Sequence, residues 1–246
     1  MHTNFRCLSL AFATALLVGC ASNEPPSDGD PLKGYNRAMF AFNEAADRAV
    51  IKPLAKAYQA ALPDPAIASV GNFFSNLNDV VVLANDLLQL KLHQAAMDSS
   101  RIVFNTTFGV LGLFDVASRM ELPKHYEDLG QTLGFWGIGE GPYLVLPLLG
   151  PSTVRDTFGR VGDSFVDPLA WGTDSDVARW SLRSLDLFDR RAGLLRVERA
   201  FAGAEIDPYE FRRSAYLQQR RSLVHDGAPP RPDFDFDDAK PPETAP

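Results

Sequence analysis

Cysteine is nearly absent from this chain, which has 2 cysteines among 246 residues. Cys7 lies in an N-terminal apolar stretch typical of an export signal, and removal of that stretch would leave Cys20 as the only cysteine. A mature chain with a single cysteine can form no internal disulfide, even in an oxidising compartment. Its stability must therefore come from packing.

The chain also lacks the motifs of common catalytic and metal-binding sites. It has no H-E-x-x-H, no cysteine pair and no G-x-S-x-G, and Gly137–Pro142 departs from G-x-G-x-x-G because proline takes the last place. Gly162-Asp163-Ser164 is similar to the opening of one esterase family, but Ser222 stands where that family's D-x-x-H needs its aspartate. We therefore expect no enzyme, no metal and no soluble cofactor, and a phospholipase acting through Ser164 is the remaining catalytic hypothesis.

An excess of positive charge and a long apolar run are both missing. The formal net charge is −7, which argues against a nucleic-acid partner. After Cys20 no apolar run reaches the roughly 20 residues of a membrane-spanning helix, so we expect no such helix. Hydrophobic residues nevertheless make up 46% of the chain, and 17 residues are phenylalanine. This apolar excess must be buried or must face lipid.

The N-terminus has a basic start, a short apolar core at residues 8–16 and then Leu17-Val18-Gly19-Cys20. This order resembles a bacterial lipobox, in which the cysteine is acylated and becomes the first residue of the mature chain. The resemblance implies a lipoprotein signal peptide at residues 1–19, with a covalent diacylglycerol and an N-acyl chain on Cys20. The alternative is a free cysteine at the edge of an ordinary signal peptide.

Composition divides the remaining chain into three parts. Residues 20–29 form a polar tether, residues 30–225 a single domain, and residues 226–246 an acidic, proline-rich tail that we expect to be disordered. The domain contains four Asp-Pro pairs. Aspartate caps helix N-termini and proline suits the first helical turn, so these pairs predict helix starts; they are Asp30-Pro31, Asp64-Pro65, Asp167-Pro168 and Asp207-Pro208.

Apolar periodicity predicts a mainly α domain. The predicted helices cover residues 36–58, with a bend or an end at Pro53, and residues 76–90, 92–104, 175–187 and 209–224. Within 92–106, mostly small residues form a stripe that would allow close helix contact. The one clear strand is predicted at 143–146, where the neighbouring prolines limit it to a sheet edge.

Three features have two readings each. Phe40 and Ile51 lie on the polar side of the first helix, which indicates either a second packing neighbour or lipid. The glycine-rich stretch 130–150 carries Phe135 and Trp136, and it is either a loop folded against the core or a lipid contact. The third feature is a line of side chains on one helix, Arg213, Tyr216 and Arg220. These side chains could bind phosphate, but the simpler interpretation is that they belong to a packed amphipathic helix.

Ordered blocks across the domain closely resemble the MlaA/VacJ lipoproteins. The resemblance covers roughly residues 30–225. The blocks are Asp30–Phe40 with Phe42-Asn43 and Lys52-Pro53, then Arg101–Thr106, Gly112–Ala117, Gly130–Gly134, Gly139–Tyr143 with Leu146-Pro147, Gly150–Asp156 and Asp207–Tyr209.

The resemblance implies a mainly α, ring-like domain with a central amphipathic channel, lying in the inner leaflet of the outer membrane on its periplasmic side. Such a lipoprotein removes misplaced phospholipid from the outer leaflet. Its partners would be trimeric porins and a soluble periplasmic carrier similar to MlaC, which delivers lipid to an inner-membrane ABC transporter. Ala21, next to the acylated cysteine, fits sorting to the outer membrane.

Within this resemblance the residues of the lipid path are a hypothesis. We assign a gate to Phe40, Phe42 and Asn43, and a place along the path to Phe135 and Trp136. The alternative function is a structural envelope lipoprotein that scaffolds porins without moving lipid.

Overall fold

The computed structural model describes residues 29–201 and 207–230. Cys20, most of the predicted tether and residues 231–246 of the predicted tail lie outside the described residues. Asp226, the first residue of that tail, forms an ion pair with Lys91 at 2.5 Å.

The described chain is mainly helical and contains one two-stranded antiparallel sheet. A π-helical turn at Asp47–Ile51 joins α1 to α2, and a short 3-10 helix at Ser118–Met120 follows α4. The strands are β1 (Tyr143–Leu146) and β2 (Gly150–Thr153). The helices are α1 Lys33–Ala46, α2 Lys52–Ala61, α3 Asp64–Leu88, α4 Leu92–Thr107, α5 Leu129–Phe135, α6 Val154–Asp163, α7 Pro168–Trp171, α8 Asp176–Phe201 and α9 Pro208–Val224.

Proline and aspartate set several helix boundaries. Pro53 does not end the first helix, because the wider π-helical turn before it accommodates the missing N–H and the proline ring. Asp64-Pro65 begins α3 twelve residues before the predicted start. Asp167 and Asp207 cap α7 and α9 by accepting backbone N–H bonds, as expected of the Asp-Pro pairs.

Helix α4 is polar on its inner side and apolar on its outer side. The stripe predicted to mediate close helix contact faces outward at its two ends, with Leu92 67% and Val103 58% exposed. The buried side chains of α4 include Asp98, Arg101 and Asn105. The prediction found the helix, but its stripe is buried at Ala95 and exposed at Leu92 and Val103, because periodicity reports that two faces differ and does not report which one is buried.

The same inversion holds for the described residues as a whole. Buried polar and charged residues outnumber buried apolar ones, and many large apolar side chains are exposed. Proteins in water normally show the reverse distribution, and extended exposed apolar surface marks contact with a membrane or a partner.

Helix α3 corrects the expectation that no helix could span a membrane. By length and composition alone, this 25-residue helix could do so, with a mean hydropathy of 1.2 in its most apolar window. The apolar character of this helix is not apparent from the sequence because asparagines and aspartates interrupt its apolar residues. Those polar residues, which include Asn76, Asp79 and Asn85, are buried inside the domain.

Contacts between elements close a ring. In order, α3 contacts α5, α5 contacts α9, α9 contacts β2, β1 contacts α1, α2 contacts α8, and α8 contacts α3. This arrangement confirms the predicted ring-like, mainly helical single domain.

Most of the stretch 130–150 is regular, contrary to expectation. It contains most of α5, which packs against α6, and then β1 with the turn that leads into β2. Two glycines allow α5 and α6 to touch: a Cβ on Gly159 would lie 2.3 Å from the backbone nitrogen of Gly130. The predicted strand at 143–146 is confirmed with those boundaries.

Candidate functional site

Two cavities lie among the elements of the ring, and residues of α8 line both. The polar cavity has a volume of about 250 Å³, and the hairpin cavity one of about 680 Å³. Residues of α3, α6, α7, α8 and the segment before α5 line the polar cavity. Residues of α1, α2, the β1–β2 turn, α8 and α9 line the hairpin cavity. Both linings combine charged and apolar side chains.

Most charges of the polar cavity are paired. Arg183 lies 3.4 Å from Asp167. Arg190 lies 2.8 Å from Asp186. Two further carboxylates of the lining, Glu127 and Asp128, pair with Lys91 at 2.9 Å and with Arg220 at 2.6 Å.

Arg160 and Asp163 are the charged residues of the polar cavity that form no ion pair in the described part of the chain. Arg160 donates to the Leu149 carbonyl at 3.2 Å and to the Pro151 carbonyl at 2.9 Å. Asp163 accepts from Asn85 at 2.9 Å and from the Leu129 N–H at 3.1 Å. Burial raises the pKa of the Asp163 carboxyl, although these two hydrogen bonds oppose the shift.

Most charges of the hairpin cavity are neutralised within it, and its apolar walls are free. The Arg191 guanidinium binds both oxygens of Asp47, at 2.7 and 2.8 Å, and Glu198 at 2.8 Å. Lys52 contacts Glu198 at 2.5 Å. Since these polar groups already have partners, the apolar side chains remain available to a ligand; they include Leu148, Leu149, Leu194, Val197 and Phe211.

Two asparagines of α1 hold the free edge of β1. The Asn36 amide donates to the Tyr143 carbonyl and accepts from the Val145 N–H, at 3.0 and 2.9 Å. The Asn43 amide likewise donates to the carbonyl of residue 146 and accepts from the N–H of Leu148, at 2.9 and 2.7 Å. Seven helical residues rise about 10.5 Å and three strand residues about 10 Å, so the two amides match the strand repeat. We call this arrangement the asparagine clasp.

The structure brings only one of the three predicted gate residues to a cavity. Asn43 lines the hairpin cavity. Phe40 instead packs edge-on against Tyr209, with ring centroids 5.7 Å apart, beside the buried side chains of β1. Phe42 is 50% exposed on the outer surface. Ile51, which lies on the same side of the first helix as Phe40, does line the hairpin cavity.

Phe135 and Trp136 line neither of these cavities. Their rings meet edge-on at 5.5 Å, and the Trp136 indole donates to the Leu88 carbonyl at 3.1 Å. Both side chains are about half exposed beside the exposed Leu87 and Leu88. They therefore belong to an exposed apolar surface of the ring.

Arg220 forms ion pairs with two carboxylates inside the domain. Its guanidinium binds both oxygens of Asp156 and both of Asp128, at 2.6 to 2.9 Å, which ties α9 to α5 and α6. Burial acts to raise the pKa of the Asp128 and Asp156 carboxyls, but Arg220 outweighs it and lowers both. Tyr216 adds a hydrogen bond to Asp156 at 2.8 Å. Two of the three residues on the predicted line thus fit the packing interpretation.

The hydroxyl of Ser164 donates to the Val161 carbonyl at 2.6 Å. The histidine nitrogens of His125 and His225 contact Asp98 and the Arg221 carbonyl, at 2.8 Å each. These contacts show no serine–histidine pair among the described residues.

Sequence reasoning missed most of the charged residues of the polar cavity. Arg160, Arg183 and Arg190 come from two helices, and no short motif connects them. Asp163 was considered only as part of an esterase-like sequence. In the sequence Arg160 has acidic neighbours at helical spacing, Asp156 and Asp163, so it is indistinguishable from an ordinary surface residue.

Residues 28–223 match the family described as MlaA lipoprotein. The chain is 37% identical over 230 residues to the intermembrane phospholipid transport system lipoprotein MlaA of Escherichia coli (strain K12), with 90% of each chain covered. It is 30% identical over 230 residues to the protein of the same name from Haemophilus influenzae, covering 89% of this chain and 90% of that relative. An uncharacterized protein of Rickettsia prowazekii is 35% identical over 196 residues, covering 79% of this chain and 78% of that relative.

The fold has a solved counterpart. A chain from work on the structural basis for maintenance of bacterial outer membrane lipid asymmetry superposes with a TM-score of 0.69 at 32% identity. The superposition covers 80% of this chain and 100% of that chain.

Proposed function

This chain belongs to the MlaA lipoprotein family, and from that membership we propose that it removes mislocalised phospholipid from the outer leaflet of the outer membrane. It would pass the lipid to a soluble, MlaC-like periplasmic carrier for retrograde transport, which maintains lipid asymmetry. The observation that carries the proposal is the inverted distribution of side chains: many large apolar side chains are exposed, polar ones are buried, and the two cavities described above have charged and apolar linings. A phospholipid has the same division between a charged head and apolar chains.

The proposed location is the inner leaflet of the outer membrane, with Cys20 acylated as the anchor. A lipid anchor of two or more chains holds a protein stably at a membrane, so the exposed apolar side chains are in excess of what anchoring requires. They suit a body set into the leaflet. Trimeric porins are the proposed outer-membrane partners, and an ABC transporter reached through the carrier is the proposed source of direction.

The proposal gives the asparagine clasp the role of the gate. Asn43 lies at the mouth of the hairpin cavity and holds the turn that forms part of its wall. Phe40 and Phe42 would act around it, as packing support and as outer lipid contact. Phe135 and Trp136 would contact lipid on the outer surface.

Reconstitution tests the function against the scaffold alternative. Vesicles that contain labelled phospholipid, the acylated protein and a trimeric porin are mixed with the soluble carrier, and label on the carrier is measured. A lipid conduit should transfer much more label to the carrier than vesicles that contain porin alone, whereas a scaffold should not. In cells, gene deletion should raise outer-leaflet phospholipid and detergent sensitivity, and unchanged asymmetry would contradict the proposal.

A further inference from the structure

The polar cavity contains one arginine and one carboxylate that form no ion pair within 4.0 Å in the described chain. Four of its carboxylates have cationic partners within 4.0 Å. In the described chain, Arg160 and Asp163 have none. We propose that this cavity binds the zwitterionic headgroup of a phosphatidylethanolamine-type lipid, with the phosphate on Arg160 and the ammonium on Asp163. The inference rests on the proposed transport function and names the lipid class that its site prefers.

Arg160 keeps donors available for an anion. A guanidinium has five N–H donors in a fixed plane, and the carbonyls of Leu149 and Pro151 each accept from one terminal nitrogen. These two neutral acceptors hold the plane in place without cancelling its charge. The remaining donors match phosphate oxygens, for which arginine has suitable geometry.

Asp163 is oriented to receive a cation. Its hydrogen bonds come from neutral donors, the Asn85 amide and the Leu129 N–H. Carboxylate oxygens have about four acceptor positions together, so capacity remains for an ammonium. The raised pKa of this carboxyl shows that burial is not compensated by the present neighbours. A bound ammonium would supply the missing positive charge.

The spacing and the volume suit this headgroup. Residues three apart on α6 lie on one helix face, with about 5–6 Å between Cβ atoms, and two methylene groups separate phosphate from ammonium in the headgroup. A cavity of about 250 Å³ holds roughly eight water-sized groups at ~30 Å³ each, which suits a phosphate, two methylenes and an ammonium. Leu149, which Arg160 contacts, also lines the hairpin cavity, so the acyl chains would have apolar walls beside the head.

Titration calorimetry of the full-length acylated protein in detergent tests the assignment with three probes. These are dihexanoyl phosphatidylethanolamine, dihexanoyl phosphatidylglycerol and glycerophosphoethanolamine. The wild type should bind the ethanolamine lipid about tenfold more tightly than the glycerol lipid, or ~1.4 kcal/mol. Asp163→Asn should remove this preference and keep binding of the glycerol lipid. Arg160→Gln should weaken both lipids similarly, and Arg160→Lys should restore part of the loss.

The matched control is Arg179→Gln, which removes an arginine of α8 that pairs with Asp176 outside the cavity; its affinities should equal those of the wild type. Equal affinity of the wild type for both lipids, or a preference that survives Asp163→Asn, would overturn the proposal. Tight binding of glycerophosphoethanolamine would also overturn it, because the site would then serve free headgroup compounds. If Asp163→Asn does not fold, unchanged lipid binding by Arg160→Gln rejects the site.

The vesicle transfer assay separates this inference from the proposed function. Transfer of both lipids at equal rates would reject the headgroup assignment and leave the transport function standing. Transfer of neither lipid would reject the transport function itself.

Discussion

Several buried side chains of this protein carry carboxyl groups at positions where a protein in water normally has apolar residues. Asp86 and Asp98 are fully buried on α3 and α4. Both oxygens of Asp86 lack a hydrogen-bond partner among the described atoms. Burial, together with the adjacent Asp98 and Glu127, raises the pKa of Asp86 to about 8, and Lys91 only partly opposes it. The folded protein therefore holds a proton at Asp86 under conditions in which the unfolded chain has lost it.

This proton makes stability depend on pH with a defined sign. The pKa of Asp86 is raised, so its stabilising contribution is complete below the unfolded pKa of about 3.9 and is lost as pH rises toward about 8. Asp86→Asn keeps a neutral side chain at every pH. Between pH 5 and pH 8 the free energy of unfolding of the wild type should fall by more than ~1 kcal/mol relative to that of Asp86→Asn. Urea unfolding at both pH values measures this.

A matched control is Asp64→Asn, which changes an exposed aspartate on the same helix. It should leave the pH dependence of the wild type unaltered. Parallel pH profiles for the wild type and Asp86→Asn would show that Asp86 is already ionised at pH 5 in both states and would contradict its raised pKa.

At the scale of elements, one guanidinium joins three helices. Arg220 of α9 binds Asp128, which caps α5, and Asp156 in the first turn of α6. Arg220→Gln would leave Asp128 without its cation and Asp156 with Arg155 alone, and breaking a buried ion pair typically costs about 3–5 kcal/mol. We expect the chemical denaturation midpoint to fall accordingly. Arg221→Gln, next to it but exposed, should change stability by no more than ~0.5 kcal/mol.

Acid unfolding provides a second readout of the same cluster. Arg220 keeps the pKa of Asp128 and of Asp156 below the usual range, so their contribution is present above about pH 4 and is lost as pH falls further. The Arg220→Gln variant should begin to unfold at a higher pH than the wild type. Identical acid transitions would contradict the assigned pairing.

The asparagine clasp gives the hairpin its attachment to α1. Asn36 is fully buried, whereas Asn43 is partly exposed at the turn. Asn43→Leu should therefore release the turn without unfolding β1. Hydrogen exchange at the Leu148 N–H should become at least roughly tenfold faster, since local opening there loses a hydrogen bond worth about 1–1.5 kcal/mol. Phe42→Leu, at the exposed neighbouring residue, should leave this exchange rate unchanged.

At the scale of the whole molecule, the anchor and the ring are separate sources of membrane affinity. Cys20→Ala should leave an unacylated precursor, because the lipobox interpretation makes this sulfur the acylation site. Metabolic labelling with a fatty acid measures the outcome, and Cys7→Ala should be labelled like the wild type. Normal labelling of Cys20→Ala would refute the lipobox.

The apolar exterior predicts that the unacylated ring still binds vesicles, because exposed apolar area drives membrane association without an anchor. The acidic, proline-rich residues after 230 lie outside the described ring. They carry no assigned role in transport.

Local patterns were sufficient to predict several elements. The strand at 143–146 and the helix ending at Val224 were predicted with correct or nearly correct boundaries. Alternating side chains and an Asp-Pro start are contained in a few neighbouring residues, so no tertiary information is needed to recognise them. The ordered family blocks likewise specified the family and its mainly helical ring.

Tertiary structure decided which face of each helix points inward and which charges meet. The buried stripe of α4 is polar because it faces the polar side of α3, and a single amphipathic helix contains no information about its neighbour. Arg160 and Asp163 look like ordinary charged residues in the sequence. They become a candidate site because three other carboxylates of the cavity are neutralised by arginines and a lysine of other elements. Such pairings depend on distances that only the closed ring creates.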